Sequence, residues 1–119
     1  MTYLFLGHPT CSTVAKARKW LNDQQINYTE RSIVNENPTE QELKDWIKKS
    51  GKKVGDFFNT SGLKYRALDL KNKRLTLSED EQIKLLSSDG MLIKRPVLIG
   101  ADFVVAGFKQ SEWEKLLLK

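Results

Sequence analysis

The sequence predicts an α/β domain: a mixed four-stranded sheet, with a helical insertion between a β-α-β half and a β-β-α half. Three observations predict it. An apolar run at Tyr3-Leu4-Phe5-Leu6 leads through a turn into an amphipathic helix, and two β-rich runs near the C-terminus are separated only by Gly100-Ala101-Asp102. Between these halves lie about 55 residues patterned as helices. The chain has 119 residues, of which 39% are apolar and 29% charged, the composition of one globular domain with a modest core.

The first run stops at Gly7-His8-Pro9, as a buried strand ending in a turn does. From Thr13 onward, Val14, Ala17, Trp20 and Leu21 recur at helical spacing with Lys16, Arg18 and Lys19 between them, which is an amphipathic helix. Ile26 to Val34 alternates loosely and ends at Asn35, Asn37 and Pro38, giving a second strand. A strand–helix–strand crossover of this kind makes a parallel pair, because the helix covers one sheet face.

Thr39 with Glu42 is a capping-box pair ahead of Leu43, Trp46 and Ile47, so a helix is expected from about Thr39 to Lys49, broken by Gly51 and Gly55. Phe57-Phe58, Leu63, Tyr65 and Leu68 suit small helices. Ser78 with Glu81 repeats the cap before Ile83, Leu85 and Leu86, in a helix ending near Ser88-Asp89-Gly90. The runs Pro96–Gly100 and Phe103–Gly107 read as a hairpin. Ser111 with Glu114 gives a third cap before a terminal helix carrying Trp113, Leu116 and Leu117. The order β-α-β, helices, β-β-α is thioredoxin-like, with the core at about 1–37 and 91–119 and the insert at about 38–90. Trp20, Trp46 and Trp113 each fall on an apolar helix face and are expected in the core.

Composition narrows the function. No run approaches the roughly 18 consecutive apolar residues of a membrane helix, and the N-terminus lacks a signal-like pattern, so a cytoplasmic protein without a membrane partner is expected. The net charge of +5 is spread over both halves. Lys48-Lys49 with Lys52-Lys53, and Lys71, Lys73 and Arg74, read as solvated surface; direct nucleic-acid binding is not expected. One cysteine forms no internal disulfide and no multi-cysteine metal site, so neither a metal nor a bound cofactor is expected.

That cysteine, Cys11, falls where the first strand meets the first helix. A thiol there faces the unpaired backbone N–H groups of Ser12, Thr13 and Val14 and the positive end of the helix dipole, which favour thiolate and also make an anion site. Arg95, ahead of Pro96 and the third strand, supplies a permanent charge with a fork of donors, and the Arg95-Pro96 bond is a candidate cis peptide. His8 is a candidate support for the thiolate, against the simpler reading of a turn residue.

In this order, His8-Pro9-Thr10-Cys11-Ser12-Thr13, the amphipathic helix, the insert, Lys94-Arg95-Pro96-Val97 and Gly107-Phe108 resemble the ArsC/Spx family of thioredoxin-fold proteins over nearly the whole chain. Phe57-Phe58-Asn59-Thr60-Ser61-Gly62 with Tyr65-Arg66 resembles the insert of its arsenate-reductase-like branch. In arsenate reductases, the resemblance implies, the cysteine attacks arsenate, three arginines hold the oxyanion, and glutathione with glutaredoxin resolves the adduct. Cys11 and Arg95 match that pattern. Asn59 and the region of Gly107 stand where the other two arginines are expected, with Lys109 or Arg66 as candidate substitutes.

The expected activity is therefore a thiol-dependent oxidoreductase in which Cys11 attacks an oxyanion or a mixed disulfide. An external thiol such as glutathione, or glutaredoxin, serves as partner. The Spx branch implies the alternative, a regulator binding the C-terminal domain of the RNA polymerase α subunit; Val14 occupies the second position of that branch's Cys-x-x-Cys switch.

Overall fold

In the computed structural model, which describes residues 2–118, strand β1 (Tyr3–Gly7) occupies an interior position of a sheet ordered β2-β1-β3-β4. It pairs in parallel with β2 (Tyr28–Ser32), Tyr3 opposite Tyr28 and Gly7 opposite Ser32. On its other side it runs antiparallel to β3 (Val97–Ile99), with Leu6 opposite Val97, and β4 (Val104–Ala106) pairs antiparallel to β3. The crossover and the hairpin are those the sequence predicts. β2, β3 and β4 are shorter than the runs that announce them.

The two-residue alternation of the strands sorts their side chains between two cores. Phe5 and Leu98 pack with Val14, Ala17, Trp20 and Leu21 of α1 (Ser12–Asp23) and with Trp113 of the C-terminal helix. Leu6 and Val97 face the opposite way, into a cluster built mostly from the insert. Trp20, Trp46 and Trp113 are all buried, Trp113 completely. Burying each of the large side chains contributes about 1.5–3 kcal/mol, so the sheet is held from both faces.

The insert comprises α2 (Glu40–Ser50), the short helices α3 (Leu63–Ala67) and α4 (Leu70–Lys73), and α5 (Glu79–Ser88), joined by 3₁₀ turns. Both capping boxes form: Thr39 with Glu42 and Ser78 with Glu81 exchange side-chain and backbone hydrogen bonds. A short antiparallel contact ties the insert to the approach to β3. Phe58 bridges Ile93, the Asn59 N–H donates to Leu92 O, and the Lys94 N–H donates to Phe57 O, both at 2.8 Å. Asn59 thereby lies opposite Leu92.

Two expectations need correction. The third capping box is absent: α6 (Gln110–Leu117) begins after Lys109, without a side-chain cap, and places Ser111 inside its first turn. The fully buried Trp113, whose Nε1–H donates to Gly107 O at 3.1 Å, sets where this helix starts. Arg74, grouped above with solvated charge, is half-buried. Its Nε reaches Tyr65 Oη and its Nη1 reaches Gln82 Oε1, each at 3.3 Å, and the guanidinium lies 5.5 Å from the Phe58 ring centroid. It fastens the interior of the insert.

A second arginine joins sheet to insert. Arg31 Nη1 and Nη2 donate to the two carboxylate oxygens of Glu42 at 2.7 and 2.9 Å, and the guanidinium lies 5.9 Å from the Trp46 ring centroid. Those charged hydrogen bonds, helped by the Thr39 N–H, hold the Glu42 carboxyl at about 2, below its ordinary 4.5. The native state therefore binds fewer protons than the unfolded chain as pH falls, so the stabilisation is complete above pH 4.5 and is lost toward pH 2. With a third of the Glu42 side chain accessible, screening reduces it to roughly 1–2 kcal/mol. Glu42→Gln should lower urea stability by about that amount at pH 7, and its gap to the wild type should close between pH 4.5 and 2. A pH-independent gap would refute the assignment.

Candidate active site

β1 ends at Gly7, and His8-Pro9-Thr10 turns the chain so that Cys11 is the N-cap of α1, with extended backbone angles (φ −85°, ψ 121°). The Cys11 side chain accepts no capping bond, and the first intrahelical bond runs from Ala15 N–H to Cys11 O at 3.1 Å. The N–H groups of Ser12, Thr13 and Val14 precede that bond, leaving them available to an anion. Val14 turns its side chain into the core against Phe5 and offers the site only its backbone.

Among the described residues His8 makes no hydrogen bond to the sulfur. Its Nδ1 accepts from the Thr10 N–H at 3.3 Å and shares a 2.9 Å bond with Thr10 Oγ1, while its carbonyl accepts from the Cys11 N–H at 3.2 Å. It shapes the turn that presents Cys11. The Arg95-Pro96 peptide is cis. Pro96 is buried, and its carbonyl accepts from the Gly107 N–H at 2.7 Å.

Cys11 and Arg95, far apart in sequence, open onto one cleft of about 800 Å³. One wall is Cys11 and Thr13 with β4 and the segment Gly107–Lys109; the other comes from the insert, including Phe57, Asn59 and Leu63. The Nε and Nη1 atoms of Arg95 are enclosed and have no hydrogen-bond partner among the described residues. A buried donor left unpaired costs about 1–3 kcal/mol. Here that cost leaves the guanidinium able to receive an anion in the cleft that Cys11 also lines.

Of the expected substitutes for the missing arginines, Lys109 lines the cleft and Arg66 does not. Lys52 and Lys94 line it too, as do Lys64, Asp56 and Glu112. Lys52, read above as solvated charge, is exposed but belongs to the wall. Lys64 is paired with Asp89 at 3.0 Å. No sequence motif marks Asp56 or Glu112, because neither lies near Cys11 or Arg95 in the chain; only the folding of the insert and α6 around the cleft brings them there. Among the described residues no group of three or more His, Cys, Asp and Glu side chains converges, and no helix is long and apolar enough to cross a membrane.

The chain is similar to several known proteins over nearly its whole length. A structure from Bacteroides fragilis, described as an ArsC family related protein, is 53% identical and superposes with a TM-score of 0.94, covering 98% of both chains. The uncharacterized protein YusI of Bacillus subtilis (strain 168) is 46% identical over 115 residues, 97% of this chain and 98% of YusI. Regulatory protein MgsR from the same organism is 29% identical over 115 residues, 97% of this chain and 90% of MgsR. The family model described as "ArsC family" matches residues 6–116, from the first strand through the last helix, and the chain belongs to that family.

Proposed function

We propose that this protein is a monothiol oxidoreductase: Cys11 is the nucleophile, acting on an oxyanion or a mixed disulfide, and an external thiol restores it. The observation that carries this reading is the shared cleft, where a cysteine at a helix N-terminus meets an enclosed guanidinium with two unpartnered nitrogens. With a mixed disulfide, the Cys11 thiolate attacks one sulfur. A new S–S bond forms to Cys11 as the old one breaks, and the leaving thiolate departs with the electron pair. A thiol from solution then attacks the adduct, restoring Cys11 and leaving as a disulfide. The chain has no second cysteine, so this last step has to be intermolecular. The roles proposed here are nucleophile for Cys11, anion holders for Arg95 and the N–H groups of Ser12, Thr13 and Val14, and turn supports for His8 and Pro96.

Intact-mass analysis after mild oxidation with peroxide in the presence of glutathione tests the reading. One glutathione adduct is expected on the wild type and none on Cys11→Ser, with reversal by excess glutathione. An unmodified wild type would sink it.

A second reading is favoured by the identity to MgsR and by two exposed leucines on the insert, Leu63 (83%) and Leu75 (76%). In it the protein is a non-enzymatic adaptor for the C-terminal domain of the RNA polymerase α subunit. It predicts no glutathione adduct and a complex with that domain, measured by calorimetry, that persists in Cys11→Ser.

A further inference from the structure

The lysines that line the cleft, Lys52, Lys64, Lys94 and Lys109, are not equivalent. Lys64 is engaged with Asp89 at 3.0 Å, while Lys52, Lys94 and Lys109 make no ion pair among the described residues. Lys52 follows the left-handed Gly51 at the end of α2, and Lys109 immediately precedes α6, each exposed. Lys94 has a built place. A Cβ built at Gly107 would come 2.8 Å from Lys94 Cε, 3.6 Å from its Cδ and 3.5 Å from its Nζ, so the Lys94 stem occupies the space that a side chain at position 107 would fill.

Both sides of that contact are fixed by the backbone. The Lys94 N–H donates to Phe57 O at 2.8 Å. The Gly107 N–H donates to Pro96 O at 2.7 Å, and the Gly107 carbonyl accepts from Nε1 of the fully buried Trp113 at 3.1 Å. Gly107 has φ +85°, a conformation that glycine adopts freely and side-chain-bearing residues rarely do. Position 107 therefore stays bare, and the aliphatic stem of Lys94 crosses it with the charged head left at the cleft wall, as long cationic side chains do on other surfaces.

Building on the oxidoreductase reading above, we infer that Lys94 is the second cation of the anion site. With Arg95 it holds the anionic group of the reactant, supplying from the approach to β3 the charge that the bare position 107 cannot. The two neighbours act differently: Arg95 offers a rigid planar fork, Lys94 a compact point charge with three rotatable donors. Gly107 is the positioning residue for Lys94. Neither Lys109 nor Arg66 is needed in this role.

The test compares alkylation of Cys11 by iodoacetate, an anion, and by iodoacetamide, a neutral reagent of nearly the same size, with both rates followed by intact mass. Their quotient cancels the fraction of thiolate and reports the positive charge that meets the incoming anion. Lys94→Gln should lower the quotient about two- to fivefold, the worth of one charge pair in contact with water, and Lys94→Arg should keep most of the wild-type value. Arg66→Gln removes an equal charge outside the cleft and should leave the quotient unchanged, while Lys109→Gln should lower it less than Lys94→Gln. Gly107→Ala should lower it as Lys94→Gln does, and the two substitutions together should lower it no further than either alone. A quotient unchanged in Lys94→Gln, or lowered more by Lys109→Gln, overturns the inference while the monothiol reading stands. If neither reagent modifies Cys11, the monothiol reading falls and the inference with it.

Discussion

Arg95→Met should make the protein more stable and less reactive at once. Arg95 carries two enclosed nitrogens without partners among the described residues, a native-state cost of about 1–3 kcal/mol that an apolar side chain of similar reach removes. For a domain of this length, that raises the melting temperature by roughly 3–10 °C. The same substitution deletes the charge that receives an anionic group beside Cys11, and loss of one such donor slows reaction on the order of 10²-fold. Sites kept ready for a ligand commonly show this opposition between stability and activity. Arg95→Lys keeps the charge but loses the planar fork, so its rate should fall between wild type and Arg95→Met. Thermal unfolding and the rate of Cys11 adduct formation with oxidised glutathione are the two measurements. A lower melting temperature in Arg95→Met would mean that the guanidinium is satisfied in the native state, and an unchanged rate would remove it from the reaction.

The asymmetry between Arg95 and Arg74 shows where sequence reading reaches its limit. Both are arginines that directly follow a lysine, and Arg74 sits in a basic group that reads as surface. What separates them is three-dimensional: Arg74 finds Tyr65, Gln82 and the Phe58 ring, whereas Arg95 meets an open cleft. The strands, α1 and two capping boxes are legible because their signals are local, fixed by two- and 3.6-residue periods and by i,i+3 pairs. The same local rule fails at Ser111, where the long-range burial of Trp113 places the helix start instead. Cys11 is legible because strand, turn and helix follow one another in sequence. Asp56 and Glu112 are not, because their place in the wall depends on how the insert and α6 pack around the site.

That dependence converges on Gly90, where substitution should have the largest effect on stability. A Cβ built at Gly90 would lie 1.8 Å from Ile33 O and 2.6 Å from Ile33 C, both backbone atoms, so no rotamer change relieves the contact. Ile33 cannot yield easily, since its side chain is fully buried and its N–H donates to Gly7 O at 3.0 Å, at the very end of β1. Gly90 also opens the 3₁₀ turn Gly90–Leu92, capped by Asp89 through a 2.9 Å bond from the Met91 N–H. Gly90→Ala should therefore destabilise by about 3 kcal/mol or more and push apart the ends of β1 and β3 that carry Cys11 and Arg95. Gly51→Ala is the control for backbone strain alone. Gly51 has φ +70° with open space around its Cβ position, and the left-handed penalty there is about 1–2 kcal/mol. In urea titrations Gly90→Ala should lose clearly more stability than Gly51→Ala, and at denaturant concentrations where both remain folded only Gly90→Ala should slow adduct formation at Cys11. Equal losses would show that the contact with Ile33 relaxes at little cost, and an unaffected rate in Gly90→Ala would separate this glycine from the geometry of the cleft.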